Sequence, residues 1–423
     1  MNTSMTKHPF SFLVLGALGA LFPLAGASSA QPITGLSLVA PQPAPGFQFI
    51  ADTLTAVPGG TGTFNIFADA KAIEGGKVAF IAYDSGSGSG IYTFEHGVLD
   101  VLVDENTLVP GTALNFQTFF DVSIDGGVVA FTGGWPGPGG GCAFNGSEGI
   151  FTALFDGSAL VSVADSLTTP YHCFHGIEFH QGTIAAGAGI NPVDLIHNHS
   201  EAVVVDSGSG LNVLADPTTP KPGGGTFVGF DQEIVLDGNA YLLGEIIPNT
   251  IGAIAGLYAD RDDGNGLSLV ANQATPVPGG AGNFSNLAGA DWDGGEAAFV
   301  GRDSSNIALL YAGSAPGNLR TVVTRSTQVP GTGFNFLGIS NPIAYENGVI
   351  AFSGFWGGGG QGLFLHRNGA VEAVLKKGDL LDGHVVEQAF CRTRQLTAAR
   401  MLIEVRFQSN PPLSHRALYL VTL

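Results

Sequence analysis

The apolar positions of this chain fall into short runs in which apolar and polar residues alternate. Between residues 64 and 103, four extended pieces stand apart, at 64–73, 77–84, 90–95 and 98–103. Turn residues such as Glu74-Gly75-Gly76 and His96-Gly97 separate them. Alternation with a period of two, broken by glycine turns, predicts short antiparallel strands. The chain shows no convincing amphipathic helix of about twelve residues or more.

A five-residue phrase, Thr-x-Val-Pro-Gly, recurs along the sequence at 55–59, 107–111, 275–279 and 327–331, with a blurred copy at Thr219-Pro-Lys221-Pro-Gly223. About twenty residues after each Pro comes a further apolar run, such as Lys77-Val-Ala-Phe80. A period of about 50 to 60 residues that contains several short strands is typical of propeller blades or solenoid coils. Four antiparallel strands in one repeat favour a blade.

The repeats lie near 53–105, 106–166, 167–216, 217–273, 274–326, 327–379 and 380–423. The seventh contains only three strands, near 389–397, 401–407 and 415–421. The missing outer strand is present at 47–52, because this segment precedes its Val-Pro-Gly phrase with the spacing that 267–272 has before the phrase at 275–279. A strand from the chain start that completes the last blade leaves no open sheet edge there. The sequence therefore predicts an all-β, seven-bladed β-propeller closed by an N-terminal strand.

One repeated element carries a resemblance to a known group. Asp125-Gly126-Gly127-Val-Val-Ala-Phe131 resembles the Asp-Gly turn and strand of TolB-type propeller repeats. The chain is also similar to an exported bacterial group of Val-Pro-Gly propeller repeats. The resemblance implies a propeller fold and carries no functional residue.

The first 30 residues have the features of a secretory signal peptide. Lys7 and His8 precede an apolar stretch at 10–24, and Ala27-Ser-Ser-Ala30 provides small residues for cleavage. No later segment offers about 18 uninterrupted apolar residues. We therefore expect residues 31–423 to form a single secreted or periplasmic domain without a membrane span.

The composition narrows the range of partners. Sixteen Lys and Arg stand against 35 Asp and Glu, a formal net charge of −19, which makes nucleic acid an unfavourable partner. An extracellular ligand such as a polysaccharide is the partner that we expect.

The third repeat departs from the pattern and suggests a site. Tyr171-His172-Cys173-Phe174-His175 replaces the usual Val-Pro-Gly loop, and Asp194, His197 and His199 occupy its second loop. In a propeller these two loops emerge on the same face, where binding loops concentrate. Histidine and tyrosine suit proton abstraction, which makes His172, His175, His197, His199 and Tyr171 candidate catalytic residues. The alternative is that they are polar loop residues that only form hydrogen bonds.

Two pairs of residues extend this prediction. Trp135 and Trp356 occupy matching positions before glycine-rich loops, where each could stack on a sugar ring or pack beneath the glycines. Cys142 and Cys173 fall on loops of the same face in adjacent blades, so we predict a disulfide between them, with two free thiols as the alternative. Cys391 is then left as a buried strand residue, and Trp292 is expected to pack in the core.

The sequence predicts no cofactor and assigns no metal ligand. His197-x-His199 is not a specific zinc motif, and the acidic run Asp260-Arg-Asp262-Asp263 departs from the calcium-loop pattern. The sequence does not decide whether the protein binds zinc or calcium.

Three functions follow from these observations. The first is a secreted propeller that binds a ligand, a glycan above all, on the face that carries the Val-Pro-Gly loops. The second is a polysaccharide lyase that acts by β-elimination with a His/Tyr acid-base pair. Against the lyase, the loops of repeats two and three contain no Arg or Lys to neutralise a substrate carboxylate. The third is a protein-interaction scaffold.

Overall fold

A computed structural model describes residues 46–86, 88–137, 146–190, 201–247, 253–408 and 415–423. They belong to one unit, Pro41–Leu423. These residues form antiparallel sheets, and the regular helical structure among them is a single 3₁₀ turn at Gly357–Gly359. No described helix is long and apolar enough to cross a membrane.

Within the described ranges, 29 strands follow the repeats, with four consecutive strands for each of the first six. In the first three repeats they are β2 Phe64–Glu74, β3 Lys77–Asp84, β4 Ser89–Glu95, β5 Val98–Asp104, β6 Thr118–Asp125, β7 Val128–Trp135, β8 Ser147–Leu154, β9 Val161–Asp165, β10 Cys173–His180, β11 Thr183–Gly189, β12 Ala202–Asp206 and β13 Asn212–Ala215. In the next three they are β14 Phe230–Asp237, β15 Ala240–Ile246, β16 Ile254–Asp260, β17 Ser268–Asn272, β18 Asn286–Asp293, β19 Glu296–Arg302, β20 Ala308–Gly313, β21 Arg320–Val323, β22 Phe336–Glu346, β23 Val349–Trp356, β24 Gly360–Arg367 and β25 Ala370–Lys376.

The seventh repeat combines both ends of the chain. Its strands are β26 Leu380–Leu381, β27 His384–Phe390, β28 Arg400–Phe407 and β29 Arg416–Thr422, and β1 Phe47–Asp52 is added beside β29. Phe47 pairs with Val421 and Asp52 with Ala417, in antiparallel register. The predicted pairing of 47–52 with the last strand of the chain is confirmed.

The strands are grouped in six sheets. Repeats one, two, three and six each form a four-stranded sheet, and the seventh forms a five-stranded one. Repeats four and five are joined in an eight-stranded sheet by one bridge, between Ile254 and Leu287.

The repeated phrase forms the same loop each time. Thr55 Oγ accepts a hydrogen bond from the Asp52 N–H at 3.0 Å and donates to the Asp52 carboxylate at 2.7 Å, and Thr107 does the same with Asp104. The following Val is buried, and Gly59 has a φ of +72°, a conformation that favours glycine. We call these segments the opening loops, because each leads into the first strand of its repeat.

Apolar clusters fill the space between sheets that follow each other in the chain. One packs the first sheet on the second through Ile91 and Phe131, and corresponding clusters join each later pair. A further cluster packs Phe80 of the first sheet against Leu402 and Leu418 of the seventh. The core is therefore a series of interfaces between sheets, and one of them joins the first repeat to the last.

One strand prediction was wrong. The first strand of the seventh repeat, expected at 389–397, ends at Phe390, and residues 391–399 form an irregular segment. The Gln395 side chain accepts a hydrogen bond from the Arg392 N–H at 3.0 Å, and Arg394 has a φ of +66°. This local turn replaces the ladder bonds that a strand would need.

Candidate functional site at the centre of the sheets

The first strands of the sheets converge on one cavity of about 210 Å³. Its lining includes Ser123, Glu178, Asp291 and Tyr345 from four different first strands, and Arg394 from the irregular segment. Because the ends of these first strands and Gly75 of the turn after β2 also line it, we call it the turn-side axial cavity. A second cavity, of about 260 Å³, lies nearer the opening loops and also contacts Arg394; we call it the loop-side axial cavity.

Arg394, which lines both cavities, is the centre of an ion cluster. The Arg394 guanidinium donates to Glu178 of the third repeat and lies 3.4 Å from the Asp121 carboxylate of the second. The Arg394 side chain is 14% exposed and that of Glu178 is 8% exposed. Burial raises the pKa of Glu178, and this effect outweighs the opposing influence of Arg394.

The cluster also connects β6, the first strand of repeat two, directly to β10, the first strand of repeat three. Asp121 accepts the Gly176 N–H at 2.7 Å, and Ser123 Oγ accepts the Phe179 N–H at 3.1 Å. The left-handed φ of Arg394 is uncommon for a residue with a side chain. Such conformations persist where the surroundings hold them, and they concentrate at functional sites.

Two more cations reach the loop-side axial cavity. Lys71, from the first strand of repeat one, pairs with Glu404 of β28 at 2.9 Å, and both side chains are buried. Arg392 pairs with Asp69 at 2.8 Å, and their side chains are 32% and 69% exposed. Lys71, Arg392 and Arg394 therefore converge on one cavity in a chain with only 16 Lys and Arg.

The predicted residues of the third repeat lie partly near this centre. His175 is half-buried on β10, close enough to Asp121 for that charge to act on the imidazole. Burial lowers the pKa of His175, while Asp121 acts in the opposite direction. His172 is half-buried just before β10. Asp194, His197 and His199 lie outside the described residues.

Tyr171 and the two tryptophans are buried. Tyr171 is 8% exposed and packs edge-on against Phe174, and burial raises its pKa. Trp135 and Trp356 are 2% and 8% exposed and pack edge-on against Phe151 and Phe364. Rings this buried favour the packing alternative over stacking on a sugar. Trp292 lies in the core between repeats four and five, as expected.

Cys391 was expected to be a buried strand residue; it is buried, but it follows the end of β27 and belongs to the irregular segment 391–399. Cys391 is a free and buried thiol, and burial raises its pKa, which disfavours a nucleophilic thiolate. Cys173 is buried at the start of β10. Cys142 lies outside the described residues, so the disulfide stays a prediction.

Acidic residues at the turn side have a structural function. Glu74 accepts the N–H groups of Gly126 and Gly127 in the next repeat, at 2.7 and 3.0 Å. Asp237 and Asp293 likewise accept the N–H groups of Gly294 and Gly348. Each carboxylate therefore joins its turn to the following one. Within the described ranges, no three His, Cys, Asp or Glu side chains are grouped so that they could hold a metal ion.

Sequence reasoning missed the charged residues of the first strands. Lys71, Asp121 and Glu178 lie on strands whose pattern indicated burial, and Arg392 and Arg394 lie where a strand was expected. The available signal was the charge itself, because a charged residue on an inner strand needs a partner.

Solved structures similar to this chain include a β-propeller domain. The β-propeller domain of the Trilobed protease from Pyrococcus furiosus is 12% identical, with a TM-score of 0.48, and the match covers 85% of this chain and 96% of that one. A prolyl endopeptidase is 12% identical with a TM-score of 0.51, and the match covers 88% of this chain and 48% of that one, about half its length. A putative TolB from Agrobacterium tumefaciens is 10% identical, with a TM-score of 0.38, over 77% of this chain and 94% of that one. At these identities the likeness concerns the all-β, propeller-like fold alone.

In sequence, the chain matches no curated protein. A family model described as "Family of unknown function (DUF7453)" matches residues 177–392, which include Glu178, the turn-side acids Asp237 and Asp293, and Arg392. This match covers half of the chain, and the protein belongs to the DUF7453 family.

Proposed function

We propose that the chain forms a seven-bladed propeller, closed by β1, that is exported and binds a glycan bearing carboxylates in the loop-side axial cavity. The support for closure is the β1–β29 pairing together with the apolar cluster between the first and seventh repeats. The support for export is the signal-like segment 1–30.

The observation that carries the ligand class is the convergence of Lys71, Arg392 and Arg394 on one cavity of an acidic protein. Lys71 and Arg394 are held by buried partners, whereas Arg392 is held by the exposed Asp69. An exposed ion pair is worth little, so a ligand carboxylate can replace Asp69 on the guanidinium. Arginine also binds a carboxylate with two parallel hydrogen bonds.

The remaining lining of the cavity suits a sugar. Phe120 is half-buried and provides an apolar surface, and Asp121 provides an acceptor for hydroxyl groups. Pockets that combine an apolar surface with a few polar groups are typical of small-ligand sites. Because Trp135 and Trp356 are buried, the proposed site lies at the axis and not in the outer loops.

A titration tests this proposal. The secreted protein is titrated calorimetrically with oligouronates and with neutral oligosaccharides of the same length. We expect binding of the uronates, and Arg392→Ala should weaken it about 10-fold to 100-fold, the range for a hydrogen bond to a charged group. Arg325→Ala is the matched control, because Arg325 is exposed and remote in sequence from the cavity lining. Equal affinity of both variants would contradict the proposal and favour the scaffold.

The lyase is a second candidate, and one observation favours it. The seventh repeat supplies the cations that the loops of repeats two and three lack, and the charge of Asp121, a member of the ion cluster, acts on His175. Burial lowers the pKa of His175, so its imidazole is neutral and able to accept a proton at neutral pH. Tyr171 is less suited to the role of acid because it is buried against Phe174.

Ultraviolet absorbance separates the two candidates. A lyase acting on uronic polysaccharides produces unsaturated products that absorb, and His175→Gln should abolish the signal while uronate binding persists. Binding without any absorbance change leaves the glycan-binding function alone.

A further inference from the structure

The opening loop of the fourth repeat carries a buried ion pair where other repeats are apolar. Val57, Val109, Val277 and Val329 are buried in the opening loops of repeats one, two, five and six. At this position the fourth repeat has Lys221, whose Nζ lies 2.7 Å from the Glu245 carboxylate. The Glu245 side chain is 4% exposed and that of Lys221 is 22% exposed.

Glu245 is itself an exception on the second strand. It pairs in register with Phe230 of the first strand. At the matching position of the second strand, repeats two, five and six carry a glycine instead, namely Gly133, Gly301 and Gly354. A Cβ at Gly301 or Gly354 would lie within 2.6 Å of a phenylalanine ring, so those repeats have no room for a side chain. Both exceptions occur in the same repeat, and the two side chains meet.

The ion pair is not needed to fill the core. Phe227 packs edge-on against Tyr258 with ring centroids 5.0 Å apart, close to the 4.9 Å between Phe116 and Phe151 in the second repeat. Replacing a buried ion pair by apolar residues is often neutral or stabilising. The Tyr258 hydroxyl donates to the second Glu245 oxygen at 3.1 Å, which holds the carboxylate in place.

These groups border a cavity of about 270 Å³ beside the opening loop, which Asn272 and Gln273 also line. The counterpart in the second repeat, bordered by Val109, Trp135 and Phe151, has an apolar floor. The ammonium group has three donors, of which Glu245 takes one. The other two can donate to ligand oxygens. Since Lys221 and Glu245 cancel in charge, the cavity offers no net attraction to an anion.

We propose that this cavity is a second binding site, separate from the axial one, for a neutral polyhydroxylated ligand such as a sugar ring. Lys221 donates to the ligand hydroxyl oxygens, and Glu245 and Tyr258 position its ammonium group. This inference does not rest on the axial site.

The chain supplies its own matched variant for the test. The double variant K221V/E245G restores the residues that repeats two, five and six carry, and we expect it to unfold at the wild-type temperature or above. The single change K221V would leave a buried carboxylate without its cation, so it is not a clean test. Saturation-transfer NMR with methyl glucoside, methyl galactoside and methyl mannoside measures binding directly.

We expect at least one of these glycosides to bind the wild type, and the double variant to bind it at least tenfold more weakly. Arg392→Ala should keep glycoside binding while it weakens uronate binding, so that failure at one site is distinguishable from failure at the other. Equal glycoside binding by wild type and a folded double variant would overturn the proposal. So would a wild type that binds none of the three.

Discussion

The third and seventh repeats both break the repeat pattern, and they do so with opposite results. In the third, Tyr171 and His172 stand where the opening phrase is expected, yet the structure buries Tyr171 against Phe174, includes His175 in strand β10 instead of the loop, and keeps four regular strands. The seventh has no unusual loop motif, yet its irregular segment places Arg392 and Arg394 at the centre of the sheets.

In this chain the unusual loop leads to buried packing, whereas single charges of several repeats meet in the candidate site. Aromatic residues in a loop can pack into the adjacent core, because burial of their apolar surface stabilises the folded state. A guanidinium at the meeting point of several strands has to be matched by carboxylates from other repeats. The ion cluster is therefore the more constrained of the two regions.

The largest expected effect comes from removing the central cation. Arg394→Met leaves Glu178 and Asp121 without their guanidinium and should lower the free energy of unfolding by about 3 to 5 kcal/mol, the range for breaking a buried pair. Urea unfolding measures this. Arg325→Met, an exposed arginine, is the control and should change stability by less than about 0.5 kcal/mol.

The pH dependence of the same variant identifies the cause. Without Arg394 the pKa of Glu178 rises further above its unfolded value, so the folded state binds the proton more tightly. The loss of stability in Arg394→Met should therefore shrink as pH falls and grow as pH rises. A deficit independent of pH would mean that lost packing, not the uncompensated carboxylate, is responsible.

The strand supplied by the chain start is the second way to test the seventh repeat. Ile50 is buried between the seventh and first sheets, and Ile50→Ala should cost about 2 to 5 kcal/mol in a single cooperative transition. Leu54→Ala is the control, because Leu54 is 73% exposed. A variant as stable as wild type would mean that β1 contributes little to the core, which would weaken the closed-ring proposal.

The predicted disulfide tests the third repeat. Thiol counting under denaturing, non-reducing conditions should find one reactive cysteine, Cys391, and Cys173→Ser should cost about 2 to 4 kcal/mol. The support is that Cys391 is the free cysteine among the described residues. Three reactive thiols would refute the pairing of Cys142 with Cys173.

The smallest expected effect concerns His175. Its pKa is lowered in the folded state, so the unfolded chain binds the proton more readily and stability falls as pH drops through the ordinary histidine value of about 6.5. His175→Gln should flatten the stability profile between neutral and mildly acidic pH. His96→Gln is the control, because the His96 side chain is 89% exposed. If both variants show the same slope of stability against pH, His175 does not belong to the buried centre of the sheets.

Local pattern was sufficient for most of the strands. The four pieces expected in the first repeat agree with β2 to β5 to within one residue at each end. Hairpins such as Asp125-Gly126-Gly127-Val128 follow from glycines whose φ values of +59° and +73° suit a tight turn between twisted strands. The match between 47–52 and 267–272 was enough to predict the β1–β29 pairing.

The position of the site was not available from the same reasoning. Arg394 is 216 residues from Glu178 and 273 from Asp121, and no local pattern relates them. In the sequence, each of these residues is a single charge within a segment that is expected to be a strand. The strand expected around Arg394 does not form.

The sequence by itself determined the repeat, the strand order and the pairing of the chain ends, because alternation and turn chemistry act over a few residues and repeat with a fixed period. The tertiary structure alone decided which charges meet and which aromatic residues are buried. It also decided that Lys221 pairs with Glu245. Those outcomes depend on groups brought together across different strands and sheets, where the cost of burying an unpaired charge selects the partners.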